Sequence, residues 1–194
     1  MATIGFAGLG HMGTPMAGRL AAAGYRLRVY DIAPAARARH QGIDGVAVVS
    51  QVAEIADGAD VVILMLPDSA VVAQVLLADG LLEHVASSAV VVDMSSSVPA
   101  RTRELARTAA ERGVTLIDAP VSGGVAGARS GSLTIMAGGP ADVLDHATSE
   151  IAIGTKLGID ATRKLSGEGF KRPWPPLIRM DPETRAKVEK WFKT

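Results

Sequence analysis

Residues 5–13 read GFAGLGHMG, four glycines in nine positions, with His11 the single ionisable side chain among them. Glycine loses more backbone freedom on folding than any other residue, so a cluster this dense needs a reason. One reason is a flexible tail. The other is a backbone that must turn sharply while something large and negatively charged comes close. The flanks favour the second. Residues 3–7 form a short apolar run of strand character, and residues 12–23 carry small and apolar side chains at helical spacing up to Gly24, a stop signal.

The alternation continues along the chain. Strands are expected at 26–30, 46–49, 60–66, 89–92, 115–117 and 133–136, and helices at 34–40, 51–57, 69–77 and 99–112, with another beginning at 140–146. The run VVILML (61–66) is apolar throughout, as suits a strand buried on both faces. Strands alternating with helices imply an α/β fold: a doubly wound, mainly parallel sheet with helices on both faces. Composition agrees. The chain has 194 residues, of which 48% are hydrophobic and 21% charged, which suits one domain, or one domain with an appendage. The expected division is a first domain over 1–147 and an irregular or helical C-terminal tail over 148–194.

The same composition excludes several classes. A formal net charge of zero provides no field for nucleic acid or an anionic membrane. The absence of cysteine removes disulfides, a thiolate nucleophile and a sulfur-ligated metal. His11, His40, His84 and His146 are scattered without ligand spacing, so no metal site is expected. The longest strongly apolar run, 61–66, is too short to span a bilayer, and a cytoplasmic location is expected.

Gly8, Gly10 and Gly13 form GxGxxG directly after a strand and at the opening of a helix, and Asp31 ends the second strand 18 residues beyond Gly13. That context marks a Rossmann-type dinucleotide corner. Gly8 allows the tight turn, Gly10 lets a pyrophosphate approach the backbone, and Gly13 lets helix and strand pack closely. The helix N-terminus supplies free N–H groups and a partial positive charge, so no basic side chain is required. Asp31 would accept hydrogen bonds from the adenosine ribose, and its charge would repel a 2′-phosphate, which favours NAD over NADP. Arg37 and Arg39 keep NADP open, although a solvated helix face accounts for both. A glycine turn that merely joins strand to helix is the plain alternative for the whole motif.

The run GFAGLGHMGTPMAGRLAAAGY (5–25) resembles the N-terminal signature of the β-hydroxyacid dehydrogenases, which include 3-hydroxyisobutyrate dehydrogenase, tartronate semialdehyde reductase and the cofactor domain of 6-phosphogluconate dehydrogenase. MLPD (65–68), DMSSSVP (93–99) and DAPVSGGVAGARSGSLTIMAGG (118–139) follow in the family's order, so the resemblance covers about residues 1–146. It implies an oxidoreductase passing hydride between a nicotinamide and a small 3-hydroxy acid or its semialdehyde. The main chain from Gly8 through Leu9, Gly10, His11 and Met12 to Gly13 would hold the dinucleotide together with Asp31. Leu66 and Pro67 would lie against the cofactor, and Ser96 would reach the nicotinamide side. Ser122, Gly123 and Gly124 would hold the substrate carboxylate, a role that a hydroxyl and successive glycine N–H groups suit. Helix capping is the structural alternative for Ser122 and for Ser95 to Ser97. Asp93 and Asp118, each after a strand, could simply satisfy loop N–H groups.

The family's catalytic lysine motif, of the type GxxxKxxNN, has no counterpart here. Lys156 and Lys164 lie in the wrong contexts, and an ordinary surface charge explains each. Residues 155–192 instead resemble the C-terminal end of the dihydrodipicolinate synthase and N-acetylneuraminate lyase family, with KRPWPPL (171–177) before a final charged helix. A junction of two coding sequences near 147–151 would produce this arrangement. The alternative function is then a catalytically silent dinucleotide-binding fragment or fusion product. Trp174 and Trp191 would anchor the tail, and apolar surface left uncovered would favour self-association.

Overall fold

The structure, a computed structural model, describes residues 2–139. The expectations for the helix at 140–146, the boundary at 147, the tail, both lysines and both tryptophans fall outside the described residues. Within them the chain runs β1 (Thr3–Ala7), α1 (Gly13–Ala22), β2 (Arg26–Tyr30), α2 (Pro34–Ala38), β3 (Val46–Val48), β4 (Val61–Leu64), α3 (Ser69–Ala73), α4 (Leu81–His84), β5 (Val90–Asp93), α5 (Pro99–Glu111), β6 (Thr115–Asp118), β7 (Val121–Ser122), α6 (Gly124–Ser130) and β8 (Thr134–Ile135).

Six strands form one parallel sheet in the order β3-β2-β1-β4-β5-β6. The chain starts at the centre, winds outward to β3, returns beside β1 at β4 and winds outward again. This is the doubly wound Rossmann order, and the direction of winding reverses between β1 and β4. Every residue of β4 and β5 is buried, the signature of strands covered on both faces. Alternate side chains of the strands feed two separate cores. On one face Ile4, Phe6, Val29 and Ile63 meet Met16, Ala17 and Leu20 of α1 and Ala128 of α6. On the other Ala7, Val62, Leu64 and Val91 meet Val72 of α3, Leu81 and Leu82 of α4, and Leu105 and Ala109 of α5.

Four local expectations need correction. The helix at 51–57 is a single 3₁₀ turn, Val52–Ala56, opened by a reciprocal cap between Gln51 and Glu54. Its close approach to β1 requires glycine at position 5, since a Cβ there would strike the carbonyl oxygen of Ile55. The helix at 69–77 is α-helical only over Ser69–Ala73 and then widens into a π turn over Gln74–Ala78, with Asp79 N–H donating to the Gln74 carbonyl at 2.9 Å. The strand at 133–136 narrows to β8 and stands outside the main sheet, pairing antiparallel with β7. Arg37 does not sit on a solvated face: its guanidinium donates to the Asp31 carbonyl at 2.6 Å and lies 5.5 Å from the centre of the Tyr30 ring.

Candidate functional site

The sheet places the C-terminal ends of β1, β2, β4, β5 and β6 along one edge, and the loops leaving that edge carry most of the residues singled out from the sequence. In open α/β sheets ligands bind outside this edge at the reversal of winding, here between β1 and β4.

At the end of β1, Gly8 adopts φ +98° and donates its N–H to the Tyr30 carbonyl at 2.9 Å. A Cβ on Gly8 would collide with the Met65 carbonyl oxygen, and one on Gly13 with the Gly8 carbonyl oxygen. These two glycines set how near α1 can come to the turn. Gly10 differs, since a Cβ there would meet nothing within 4 Å. The space outside the turn is open at that one position. Leu9 anchors the loop by burying its side chain completely in the first core, whereas His11 is exposed and Met12 half-buried.

Helix α1 begins with no side-chain cap and no acidic residue in its first turn. No described hydrogen bond engages the N–H groups of Gly10, His11 or Met12. An uncapped N-terminus of this kind, facing open space, is a seat for an anion. Asp31 borders it. Its Oδ2 accepts the Leu9 N–H at 2.7 Å and its Oδ1 the Ala33 N–H at 2.8 Å, so one carboxylate ties the glycine loop to the start of α2. Each oxygen keeps a second lone pair for a hydroxyl donor. The residues present thus fit a dinucleotide: donors and room for a diphosphate, and an acceptor beside it for a sugar.

A second group forms where β4 and β5 end. Ser95 is fully buried, and its Oγ accepts the Leu66 N–H at 3.0 Å. Asp93, 1% exposed, accepts the Ser95 N–H at 3.0 Å on Oδ1 and the Ser97 hydroxyl at 2.6 Å on Oδ2. Ser95 and Ser97 therefore do not cap α5; that helix starts at Pro99 with no side-chain cap, and its Val98 N–H donates instead to Ser69 Oγ at 3.1 Å. Ser96 is exposed with no described partner, and beside it the loop after β4 presents half-buried Leu66 and exposed Pro67.

The third group follows β6. Ser122 is exposed on β7, and Gly123 and Gly124 take φ +124° and +58°. Ser122 does not cap α6, whose N-terminal boundary residue is Gly123. The glycines instead turn the chain from ribbon to helix in conformations that other residues rarely adopt.

Asp118 departs from its expected role. Asp93 does satisfy loop donors, but Asp118 Oδ1 is buried with no hydrogen-bond partner. Burial, and then the charge of Asp93, push its carboxyl up to about 6. Ser69, Ser95 and Asp118 are the site-edge residues that sequence reasoning did not single out for a ligand. The available signal was that DMSSS and DAPVS each begin with an aspartate at the end of adjoining apolar strands. No metal-binding group of His, Cys, Asp or Glu occurs among the described residues, and no described helix is long and apolar enough to cross a membrane.

Three comparisons bear on this arrangement. The family described as the NAD binding domain of 6-phosphogluconate dehydrogenase matches residues 3–156. An NAD-dependent L-serine dehydrogenase of Pseudomonas aeruginosa is 44% identical over 153 residues, 76% of this chain and 49% of that one. A 3-hydroxyisobutyrate dehydrogenase of the same organism is 46% identical over 145 residues, 73% of this chain and 48% of that one. Among solved structures, Mycobacterium tuberculosis 3-hydroxyisobutyrate dehydrogenase with L-serine superposes with a TM-score of 0.75 at 36% identity, over 81% of this chain and 53% of that one. The chain spans about half the length of the curated relatives it matches.

Proposed function

Because this chain belongs to the family of the NAD binding domain of 6-phosphogluconate dehydrogenase, we propose that it is the cofactor-binding half of an NAD-dependent oxidoreductase of the 3-hydroxyisobutyrate dehydrogenase type. The observation that carries the reading is the uncapped start of α1, its Gly10 to Met12 N–H groups without partners and the Asp31 carboxylate joined to the same loop at 2.7 Å. In this reading those N–H groups receive the diphosphate and Asp31 the adenosine ribose. Leu66 and Pro67 line the path to the nicotinamide, and Ser96 donates to or accepts from that end. The nicotinamide, when bound, supplies or accepts the hydride. Ser122, Gly123 and Gly124 hold the carboxylate of a small 3-hydroxy acid. Relatives named for L-serine and 3-hydroxyisobutyrate favour this substrate class, since both molecules carry a hydroxyl on the carbon next to the α-carbon.

NAD is preferred over NADP in this reading because a 2′-phosphate would meet the Asp31 charge, while Arg37 donates to the Asp31 carbonyl at 2.6 Å. The reading also places the protein in the cytoplasm, with no nucleic-acid or membrane partner. Self-association would use apolar side chains such as Val98, 56% exposed. Calorimetric titration with NADH and NADPH side by side tests the cofactor assignment: tighter NADH binding is expected, and a clear NADPH preference overturns it. Turnover of 3-hydroxyisobutyrate or tartronate semialdehyde by the purified chain separates a working enzyme from a silent dinucleotide-binding module.

A further inference from the structure

Asp93 and Asp118 are register partners across β5 and β6, so their side chains leave the same face of the sheet at its ligand-binding edge. Their surroundings are unequal. Asp93 receives two donors, the Ser95 N–H and the Ser97 hydroxyl. Asp118 Oδ1 is buried with none. Two like charges this close are unfavourable together, and the one without donors gives way by keeping its proton. Among the described residues, Asp93 is the charged group acting on Asp118; the segment facing it from the far side, Ala137–Gly138–Gly139, is neutral.

Both carboxyls also sit at the roots of loops. Asp93 leads into Ser95 to Ser97. Asp118 leads through Ala119 and Pro120 into Val121–Ser122, and this turn hangs on its neighbours by main-chain bonds: Ala119 N–H to the Asp93 carbonyl at 2.7 Å, Asp118 N–H to the Gly138 carbonyl at 3.0 Å and Gly138 N–H to the Asp118 carbonyl at 2.7 Å. We propose that Asp118 is a proton-holding positioning residue: its neutral carboxyl lets the roots of the loop carrying Ser96 and of the turn carrying Ser122 lie paired at Asp93 and Asp118, and its ionisation against Asp93 shifts both. What these loops bind rests on the functional reading above; the device itself needs no ligand.

The sign follows from linkage. The folded carboxyl keeps its proton up to about 6, while the ordinary value is 3.8. Between those values the native state binds more protons than the unfolded one, so stability declines as pH rises through that window and is lowest above it.

The test is a pH titration of the full chain without ligand, following the Asp118 carboxyl carbon and the Ser96 and Ser122 amides by NMR, with thermal unfolding in parallel. In the wild type the three signals should share one midpoint well above that of an ordinary aspartate, and Tm should fall between pH 4 and pH 7. In Asp118→Asn the movement of Ser96 and Ser122 and most of the Tm fall should vanish. An Asp118 midpoint at the ordinary carboxylate value, or amides that titrate unchanged in the Asn variant, overturns the proposal. Should the Asn variant not fold, the wild-type amides decide: Ser96 and Ser122 signals that move with the Asp118 midpoint support the proposal, and signals that do not follow it overturn it. NADH binding is measured separately, so failure of the cofactor reading leaves this result interpretable.

Discussion

Gly10 and Gly13 lie three residues apart and answer to different constraints. A methyl group on Gly13 would enter the Gly8 carbonyl oxygen and come within 3.1 Å of the Phe6 ring, whereas one on Gly10 would point into open space. Gly13→Ala should therefore cost about 1–3 kcal/mol of stability, the usual penalty of overpacking. Gly10→Ala should leave stability within about 0.5 kcal/mol and instead weaken NADH, because the new methyl stands where the diphosphate would approach. Chemical denaturation and calorimetry on both variants check this, and the two effects should not exchange places. Asp31→Ala should narrow the gap between NADH and NADPH affinity, since it removes the charge facing the 2′ position. The glycine spacing and Asp31 were legible in the sequence because a strand, a turn and a helix N-terminus leave few choices at such a corner. The second use of Asp31, as acceptor for the Leu9 and Ala33 N–H groups, was not legible, because it depends on where two loops meet in space.

At the scale of elements, the long apolar runs announced β1, β4 and β5, because strands buried on both faces leave an uninterrupted apolar signal. The short pieces were hidden. A 3₁₀ turn, a π turn and the seven-residue α6 have too few residues to show a period. Serine-rich DMSSS suggested a helix cap, yet the Ser95 hydroxyl stitches the loops after β4 and β5 together, while that of Ser97 donates to Asp93 within its own loop. Ser95→Ala should leave the part-buried Leu66 N–H without its acceptor, at a cost of about 1–3 kcal/mol. It should also weaken NADH binding if Leu66 lies against the cofactor. By contrast, breaking the partly exposed Arg28–Asp57 pair at 3.1 Å should change stability by less than about 1 kcal/mol. Urea unfolding of Ser95→Ala and Asp57→Ala side by side checks the contrast, and equal losses would argue against the stitching role.

Across the whole molecule, two cores on opposite faces of one sheet share the same strands, so a cavity on either face weakens the frame that holds all three loops of the candidate site. Leu64 is fully buried at the end of β4, one residue before Met65, whose carbonyl limits Gly8. Leu64→Ala should lose about 2–5 kcal/mol, a large share of the 5–15 kcal/mol, roughly, of a typical domain. NADH at about one hundred times its Kd should return about 2.7 kcal/mol to such a variant if it binds the folded chain alone. A rise in Tm with NADH checks that linkage. The central claim is that main-chain donors at the start of α1 receive the dinucleotide. Its most direct test follows backbone amide shifts during an NADH titration. The Gly10, His11 and Met12 amides should move most, together with that of Ile32 beside Asp31, while amides at the opposite, N-terminal end of the strands stay still. Saturable binding that leaves Gly10 to Met12 unmoved would contradict it.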